Sequence, residues 1–218
     1  GKRQRVKLKS TTIDLDGKQI KIEAGLFGAQ AAGAVTVRCG DTIVLAAAVS
    51  GKRAEGLDYF PLQVEYREKH YAGGVISGSR FIKREGRPSD NEILTSRLID
   101  RSIRPLFPSN YFDEVQVVVS PLSIDGVNEP EILGLIGASA ALAISHLPWS
   151  GPVGAVRIGL TGDGKYVVNP TKEEKETSRL DLVVSGGTGS IAMVEAGANE
   201  VSEEEVLAGL KFGQKYIE

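Results

Sequence analysis

Short runs of alternating apolar and polar residues, separated by turn signals, are the feature that most constrains the fold of this chain. Two such runs, at residues 11–15 and 20–23, flank Asp16-Gly17, and a second pair of runs meets at Gly40-Asp41. An alternation with a period of two places successive side chains on opposite faces of a strand, and these glycine-containing pairs allow tight turns. The pattern therefore predicts antiparallel hairpins at the start of the chain.

Further runs of apolar and β-branched residues follow and predict more strands. They occupy residues 62–66, 115–119, 153–160, 166–169, 180–185 and 190–195. The turn signal Asp163-Gly164 joins two of them, and the charged stretch before residue 180 carries no strand or helix prediction. We expect these strands to complete the sheet that the hairpins begin.

Capping patterns predict helices between and after these strands. Ser89 and Glu92 form an S-x-x-E capping box, and Pro105 ends the helix that it opens. The apolar face of this helix is predicted to consist of Ile93, Leu94, Leu98 and Ile103. A second helix begins near Asn128 and is rich in Gly and Ala, which allows close packing, and a third begins at Ser202.

The overall composition fits a globular domain. Hydrophobic residues make up 41% and charged residues 25%, so the chain can bury a core. No run of eighteen apolar residues exists, and the basic start, residues 1–9, lacks an apolar segment behind it, so we expect neither a membrane span nor a secretory signal. Cys39 is the only cysteine and predicts no internal disulfide. The expected location is the cytoplasm, with an organelle matrix as the alternative.

Charge is distributed unevenly along the chain. Residues 80–104 contain seven Lys or Arg and four Asp or Glu, whereas residues 163–218 contain six and eleven. A basic centre with an acidic end is typical of a protein that turns one side towards a polyanion.

The segment that leads into the first helix is a candidate site for contact with backbone phosphates. Phe81, Lys83, Arg84 and Arg87 combine an aromatic ring with three cations next to a helix N-terminus, where free N–H groups favour anions. The alternative is a solvated basic loop that pairs with nearby carboxylates.

Three more arginines, Arg97, Arg101 and Arg104, are spaced i, i+4 and i+7 on one side of that helix. They are further candidates for contact with backbone phosphates. The alternative is that they pair with carboxylates such as Asp100 or with a neighbouring subunit.

Several segments resemble the first of the two RNase PH-like domains of the polynucleotide phosphorylase family. The two longest are Phe-Ile-Lys-Arg-Glu-Gly-Arg-Pro-Ser at residues 81–89 and Leu-Ile-Asp-Arg-Ser-Ile-Arg-Pro-Leu-Phe-Pro at residues 98–108. Agreement continues at residues 125–128, 136–140, 151–155 and 180–184, so that the resemblance covers the chain from about Lys18.

The resemblance implies both a fold and a parent protein. The fold is α/β (α+β), an RNase PH-like domain with the two-layer β-α architecture of ribosomal protein S5 domain 2. The parent would degrade RNA from its 3′ end with inorganic phosphate and magnesium, in mRNA degradation, as a ring-shaped homotrimer. Its active site would lie in the second RNase PH-like domain, and RNA-decay proteins are further expected partners.

The same resemblance implies that this chain has no catalytic or metal-binding residues. The serine cluster that cradles phosphate in active copies corresponds here to Asn-Glu-Pro-Glu at residues 128–131. Of the two aspartates and the lysine expected near the later strand, only Asp181 is present, with Lys175 and Val183 at the other two positions. We expect Asp181 to be a structural hydrogen-bond acceptor.

These observations predict a basic extension at residues 1–10, an RNase PH-like domain at residues 11–200 and the start of a following helical region at residues 201–218. The parent is expected to continue beyond Glu218. The predicted role is to guide single-stranded RNA and to build the ring. The alternatives are a stand-alone RNase PH or exosome-type phosphorolytic subunit, and a purely structural domain for ring assembly.

Overall fold

Two separate β-sheets contain all the strands among the residues that the computed structural model describes, which are 8–53, 56–74 and 86–218. The strands are β1 (Lys9–Leu15), β2 (Lys18–Ala24), β3 (Gly33–Cys39), β4 (Thr42–Ser50), β5 (Leu62–Tyr66), β6 (Val115–Ser123), β7 (Gly154–Leu160), β8 (Tyr166–Val168), β9 (Leu180–Gly187) and β10 (Ser190–Ala198). The α-helices are α1 (Asp90–Ile103), α2 (Pro130–Ala143), α3 (Lys172–Thr177) and α4 (Glu203–Ile217).

The first sheet has six strands in the order β1-β2-β3-β4-β6-β5. The predicted hairpins are confirmed, because β1 pairs antiparallel with β2, and β3 pairs antiparallel with β4. Asp16 and Gly17 adopt positive φ angles of 55° and 83° at the first turn, and Gly40 has φ 59° at the second. Only β5 runs parallel to its neighbour, β6.

The sequence patterns predict that the later strands complete the first sheet. This prediction is wrong, because the later strands form a second sheet. Its order is β10-β9-β7-β8, and its neighbouring strands are antiparallel. Helix α2 contacts β3, β4 and β6 of the first sheet and β7 of the second, while α1 contacts β5 and β10. The two helices therefore lie between the sheets and keep them apart. The predicted α/β class is confirmed, and helices α1 and α2 have a sheet on each side.

Helix α1 begins with the predicted capping box. The Glu92 backbone N–H donates to Ser89 Oγ at 3.2 Å, and the Ser89 N–H donates to the Glu92 carboxylate at 2.6 Å. The predicted apolar face is wrong at Ile93 and Leu94, which are 44% and 57% exposed. The prediction is confirmed at Leu98 and Ile103, which are buried. The rest of the buried face consists of Glu92, Thr95, Ile99 and Ser102, so polar side chains share it.

Helix α4 packs against the second sheet. It contacts β7, β8 and β9, and the absence of side chains at Gly209 and Gly213 lets it approach Leu180 and Ile158 closely. Its Ile217 is buried. Helix α4 includes most of residues 201–218, for which the sequence predicts the start of a following helical region. The boundary at residue 200 stays a prediction. No helix among the described residues is long and apolar enough to cross a membrane.

Candidate functional site

The loop between β6 and α2 fixes the start of α2. The Asp125 carboxylate accepts hydrogen bonds from the backbone N–H groups of Val127 and Asn128, both at 2.8 Å, and from the Asn128 side chain at 2.8 Å. Burial opposes ionisation of this carboxyl, but the hydrogen bonds from Asn128, Val127 and Thr42 outweigh it and hold the pKa of Asp125 well below its ordinary value. The loop is thereby tied to the β3–β4 hairpin, and the residue that follows, Glu129, has a defined position.

Glu129 lies at the centre of a network of ion pairs. Both of its carboxylate oxygens lie 3.0 Å from Lys175 Nζ, and Oε2 lies 3.1 Å from Arg157 Nη1. The two cations also contact Asp181, whose Oδ2 is 3.3 Å from Arg157 Nη1 and 3.8 Å from Lys175 Nζ. Two carboxylates and two cations therefore neutralise one another, at the junction of α2, β7, α3 and β9.

A cavity of about 300 Å³ opens beside this network. Its polar lining includes Arg157, Lys175, Asp181, Glu131 and Asn91, and the Val183 side chain contributes an apolar wall. The structure thus brings together the residues that the family resemblance matched to the phosphate, metal and lysine positions of active copies. Arg157 was not predicted, although a single cation inside the apolar run of β7 is a signal that could have identified it.

A divalent cation does not fit this arrangement. Asp181, the only carboxylate that the resemblance matched to a metal ligand, has two positively charged groups within 4 Å. These groups would repel a metal ion at that carboxylate. Among the described residues, no group of three or more His, Cys, Asp or Glu side chains is arranged to hold a metal ion.

Three of the predicted RNA-binding residues, Phe81, Lys83 and Arg84, lie outside the described residues. Arg87 is described, and it lies exposed just before α1. It borders an open cavity of about 490 Å³. Arg67, Lys69 and His70 line the same cavity, together with the carboxylates of Glu68 and Glu92. Arg87 is therefore positioned where a polyanion has access to it.

The three candidate arginines in α1 and directly after it have different surroundings. Arg104 makes a two-pronged contact with Asp100, with Nε–Oδ1 and Nη2–Oδ2 distances of 2.6 Å, and it also donates to the carbonyls of Phe60 and Leu62. Arg101 is 59% exposed and lies 3.8 Å from Glu195. Arg97 is exposed. Arg104 thus joins the end of α1 to Phe60 and to the first residue of β5, while the RNA contacts of all three arginines stay predictions.

Comparisons with known proteins agree with this geometry. Residues 16–148 match RNase PH, "3′ exoribonuclease family, domain 1", and residues 151–216 match "3′ exoribonuclease family, domain 2". The chain is 52% identical over 204 residues to a polyribonucleotide nucleotidyltransferase of Granulibacter bethesdensis, and 50% identical over 207 residues to that of Geobacter sulfurreducens. These matches cover 93% and 94% of this chain but only 28% and 29% of the relatives' length.

Solved structures share the fold at low sequence identity. A chain of the Archaeoglobus fulgidus exosome with RNA bound to the active site aligns with a TM-score of 0.71 at 20% identity, covering 90% of this chain and 84% of that one. Rice Rrp46 aligns with a TM-score of 0.68 at 14% identity, covering 97% and 89%. The predicted resemblance to polynucleotide phosphorylase is confirmed by the family matches and the close relatives, and the chain belongs to the 3′ exoribonuclease (RNase PH) family.

Proposed function

We propose that this chain is the first RNase PH-like domain of a phosphate-dependent 3′-to-5′ exoribonuclease that acts in mRNA degradation. It guides single-stranded RNA and builds a homotrimeric ring, while a second RNase PH-like domain performs the chemistry with magnesium and inorganic phosphate. The observation that carries the proposal is a network of ion pairs: Glu129, Lys175 and Asp181, which the family resemblance matches to phosphate and metal positions of active copies, are paired with one another and with Arg157.

The chemistry of phosphorolysis explains why this network favours a catalytically inactive domain. Phosphate must attack the RNA backbone, so two anionic groups have to approach each other, and unpaired donors or a metal must stabilise the developing charge. Here the two cations already pair with carboxylates, and Val183 supplies no charge in place of the expected lysine. The stand-alone phosphorolytic subunit is therefore the weaker alternative.

A role in RNA guidance rests on the basic stretch before and within α1. Arg87 is exposed beside an open cavity, and Arg97 and Arg101 are exposed on the helix that follows. Cations of this kind bind the phosphate backbone with little base preference. The purely structural alternative would leave these groups without an RNA ligand, so salt-dependent RNA binding separates the two functions.

A role in assembly is supported by large apolar side chains on the surface. Leu26 and Phe27, in the loop after β2, are 56% and 50% exposed, and Leu207 on α4 is 56% exposed. Exposed apolar groups often mark contacts between subunits or domains. We propose that such surfaces are covered in the homotrimer, and that the parent acts in the cytoplasm with RNA-decay proteins as further partners.

The test is an assay of the purified chain with single-stranded RNA, magnesium and inorganic phosphate. We expect no release of nucleoside diphosphates above background, while a polyribonucleotide nucleotidyltransferase from a relative, assayed in parallel, releases them. The matched control is the Asp181→Asn variant, prepared in the same way, which reports contaminating activity. Release by the unmodified chain that the Asp181→Asn variant lacks would contradict the proposal.

A further inference from the structure

The contacts of Glu129 are those of a bound anion. Its carboxylate accepts hydrogen bonds from Lys175 Nζ through both oxygens at 3.0 Å, and Arg157 Nη1 lies 3.1 Å from one of them. Lys175 is on α3 and Arg157 on β7, so two different elements supply the cations. A carboxylate held between two cations is negatively charged and presents two acceptor oxygens, as one edge of a phosphate or sulfate ion does.

The position of Glu129 at the start of α2 adds to this resemblance. Glu129 is the N-cap residue of a 14-residue helix, yet its side chain makes no capping hydrogen bond to the helix backbone. The carboxylate instead points to the two cations, at the end of the helix where the backbone dipole favours negative charge. The local field therefore stabilises an anion independently of the ion pairs.

The balance of charge in the network depends on this one carboxylate. With Glu129 ionised, Glu129 and Asp181 neutralise Arg157 and Lys175. Without its charge, Arg157 and Lys175 would share Asp181 as their one remaining ion-pair partner, and the Arg157 side chain is only 11% exposed, with its Nε already lacking a hydrogen-bond partner. Water solvates such a cation poorly, so the vacated position would favour another anion.

Access for that anion already exists. The cavity of about 300 Å³ is lined by Arg157 and Lys175 together with the carboxylates of Glu131, Asp181 and Glu195, and it is open to solvent on the side of the two cations away from Glu129. Inorganic phosphate is small compared with this volume. The path to the two cations therefore does not require the sheets to separate. Of the two carboxylates that pair with these cations, Glu129 lies nearer to both of them than Asp181 does.

We propose that Glu129 is a tethered anion that occupies an oxyanion site and keeps inorganic phosphate out of this domain. The inference rests on the proposed function in one respect, because it assumes that the domain itself has no use for phosphate. It assigns Glu129 a specific role in the inactivity of the domain. Glu129 excludes phosphate, and the domain also lacks the groups that would activate phosphate.

The experiment measures phosphate binding by the 218-residue chain without RNA. Glu129→Gln and Glu129→Ala are compared with the unmodified chain by calorimetry and by thermal unfolding in potassium phosphate, with potassium chloride keeping the ionic strength constant. Glu176→Gln is the matched control, since it removes one negative charge from an exposed position on α3. A parallel titration with sulfate distinguishes a general oxyanion site from one that prefers phosphate.

We expect both Glu129 variants to bind phosphate at least about tenfold more tightly than the unmodified chain, and their unfolding midpoints to rise with phosphate concentration. The unmodified chain and Glu176→Gln should show no such rise. A variant that unfolds in chloride but regains its circular dichroism spectrum in phosphate also supports the proposal.

Three results would overturn the inference. They are phosphate binding by the unmodified chain as tight as that of the variants, folded variants that do not bind phosphate, and a folding defect that phosphate does not correct. Each of these leaves the proposed function intact, because that function is tested by nucleoside diphosphate release and not by phosphate binding.

Discussion

Thr42 and Asp125 are joined by two hydrogen bonds across the start of β4. The Asp125 backbone N–H donates to Thr42 Oγ1 at 3.1 Å, and the Thr42 hydroxyl lies 3.0 Å from Asp125 Oδ1. Thr42 is fully buried, and Asp125 is partly buried. The relationship ties the loop before α2 to the first sheet, and the position of Glu129 depends on it.

We therefore expect Asp125→Asn to destabilise the chain by about 2 to 3 kcal/mol at pH 7, because an amide cannot accept the full set of hydrogen bonds that the carboxylate accepts. Urea denaturation measures this difference. Asp58→Asn, at an exposed position, is the matched control and should change stability by less than about 0.5 kcal/mol. A loss at Asp125 no larger than in the control would contradict the structural role.

The effect of Asp125 should also depend on pH. Its pKa is lower in the folded chain than its ordinary value of 3.8, so the ionised carboxyl stabilises the fold above that value. This contribution is lost as the pH falls below about 4 towards the folded-state pKa. The stability difference between the unmodified chain and Asp125→Asn should therefore shrink from pH 7 to pH 3, and a constant difference would contradict the assignment.

Ser102 and Ser185 form a buried contact between α1 and the second sheet. Their hydroxyl oxygens are 2.8 Å apart, and both residues are fully buried. A double-mutant cycle with Ser102→Ala and Ser185→Ala, measured by urea denaturation, should give a coupling energy of about 1 kcal/mol. The control cycle combines Ser102→Ala with Ser190→Ala at an exposed position, and it should be additive. Equal coupling in both cycles would contradict a direct hydrogen bond.

Arg104→Lys and Arg97→Lys should differ in their effect on the stability of the fold. Arg104→Lys loses the two-pronged contact with Asp100 and at least one backbone carbonyl contact, so we expect a loss of about 1 kcal/mol in thermal or urea unfolding. Arg97→Lys, on the exposed side of the same helix, should change stability by less than about 0.5 kcal/mol. Similar losses in the two variants would mean that the Arg104 fork contributes nothing specific.

The basic stretch before α1 is expected to bind the RNA backbone in the full-length parent. Changing Arg84 and Arg87 to alanine should weaken the binding of long single-stranded RNA evenly across sequences. It should also flatten the salt dependence by about 0.7 log units per lost contact. Short oligonucleotides that reach only the catalytic domain should be degraded almost normally. The matched control is Arg38→Ala. Arg38 pairs with Asp41 at the turn between β3 and β4 and is not part of the basic stretch.

Filter binding at several salt concentrations, together with a processivity assay, measures these effects. Within the pair we expect Arg84 to matter more than Lys83, whose ammonium group lacks the guanidinium fork. If affinity, salt slope and processivity on long RNA are unchanged in the double variant, the stretch is a solvated or inter-subunit feature.

Local chemistry accounts for most of the elements that could be predicted. Capping boxes at Ser89 and Ser202 mark the starts of α1 and α4, and glycine at positive φ marks the hairpin turns. Helix α3 was not predicted, although Thr171 and Glu174 form a capping box of the same kind. The signal was present in the charged stretch, but the helix has six residues and little apolar periodicity, so its pattern is weak.

The sequence by itself determined the strands, the capped helices and the family, because these depend on short-range patterns and on long matching segments. The tertiary structure decided that the strands divide into two sheets and that Glu129 pairs with Lys175, 46 residues away, and with Arg157. Such pairs depend on how α2, β7 and α3 pack, and sequence spacing carries no information about that packing. The residues that differ from an active copy can therefore be recognised in the sequence, while the network that they form is visible only in the folded chain.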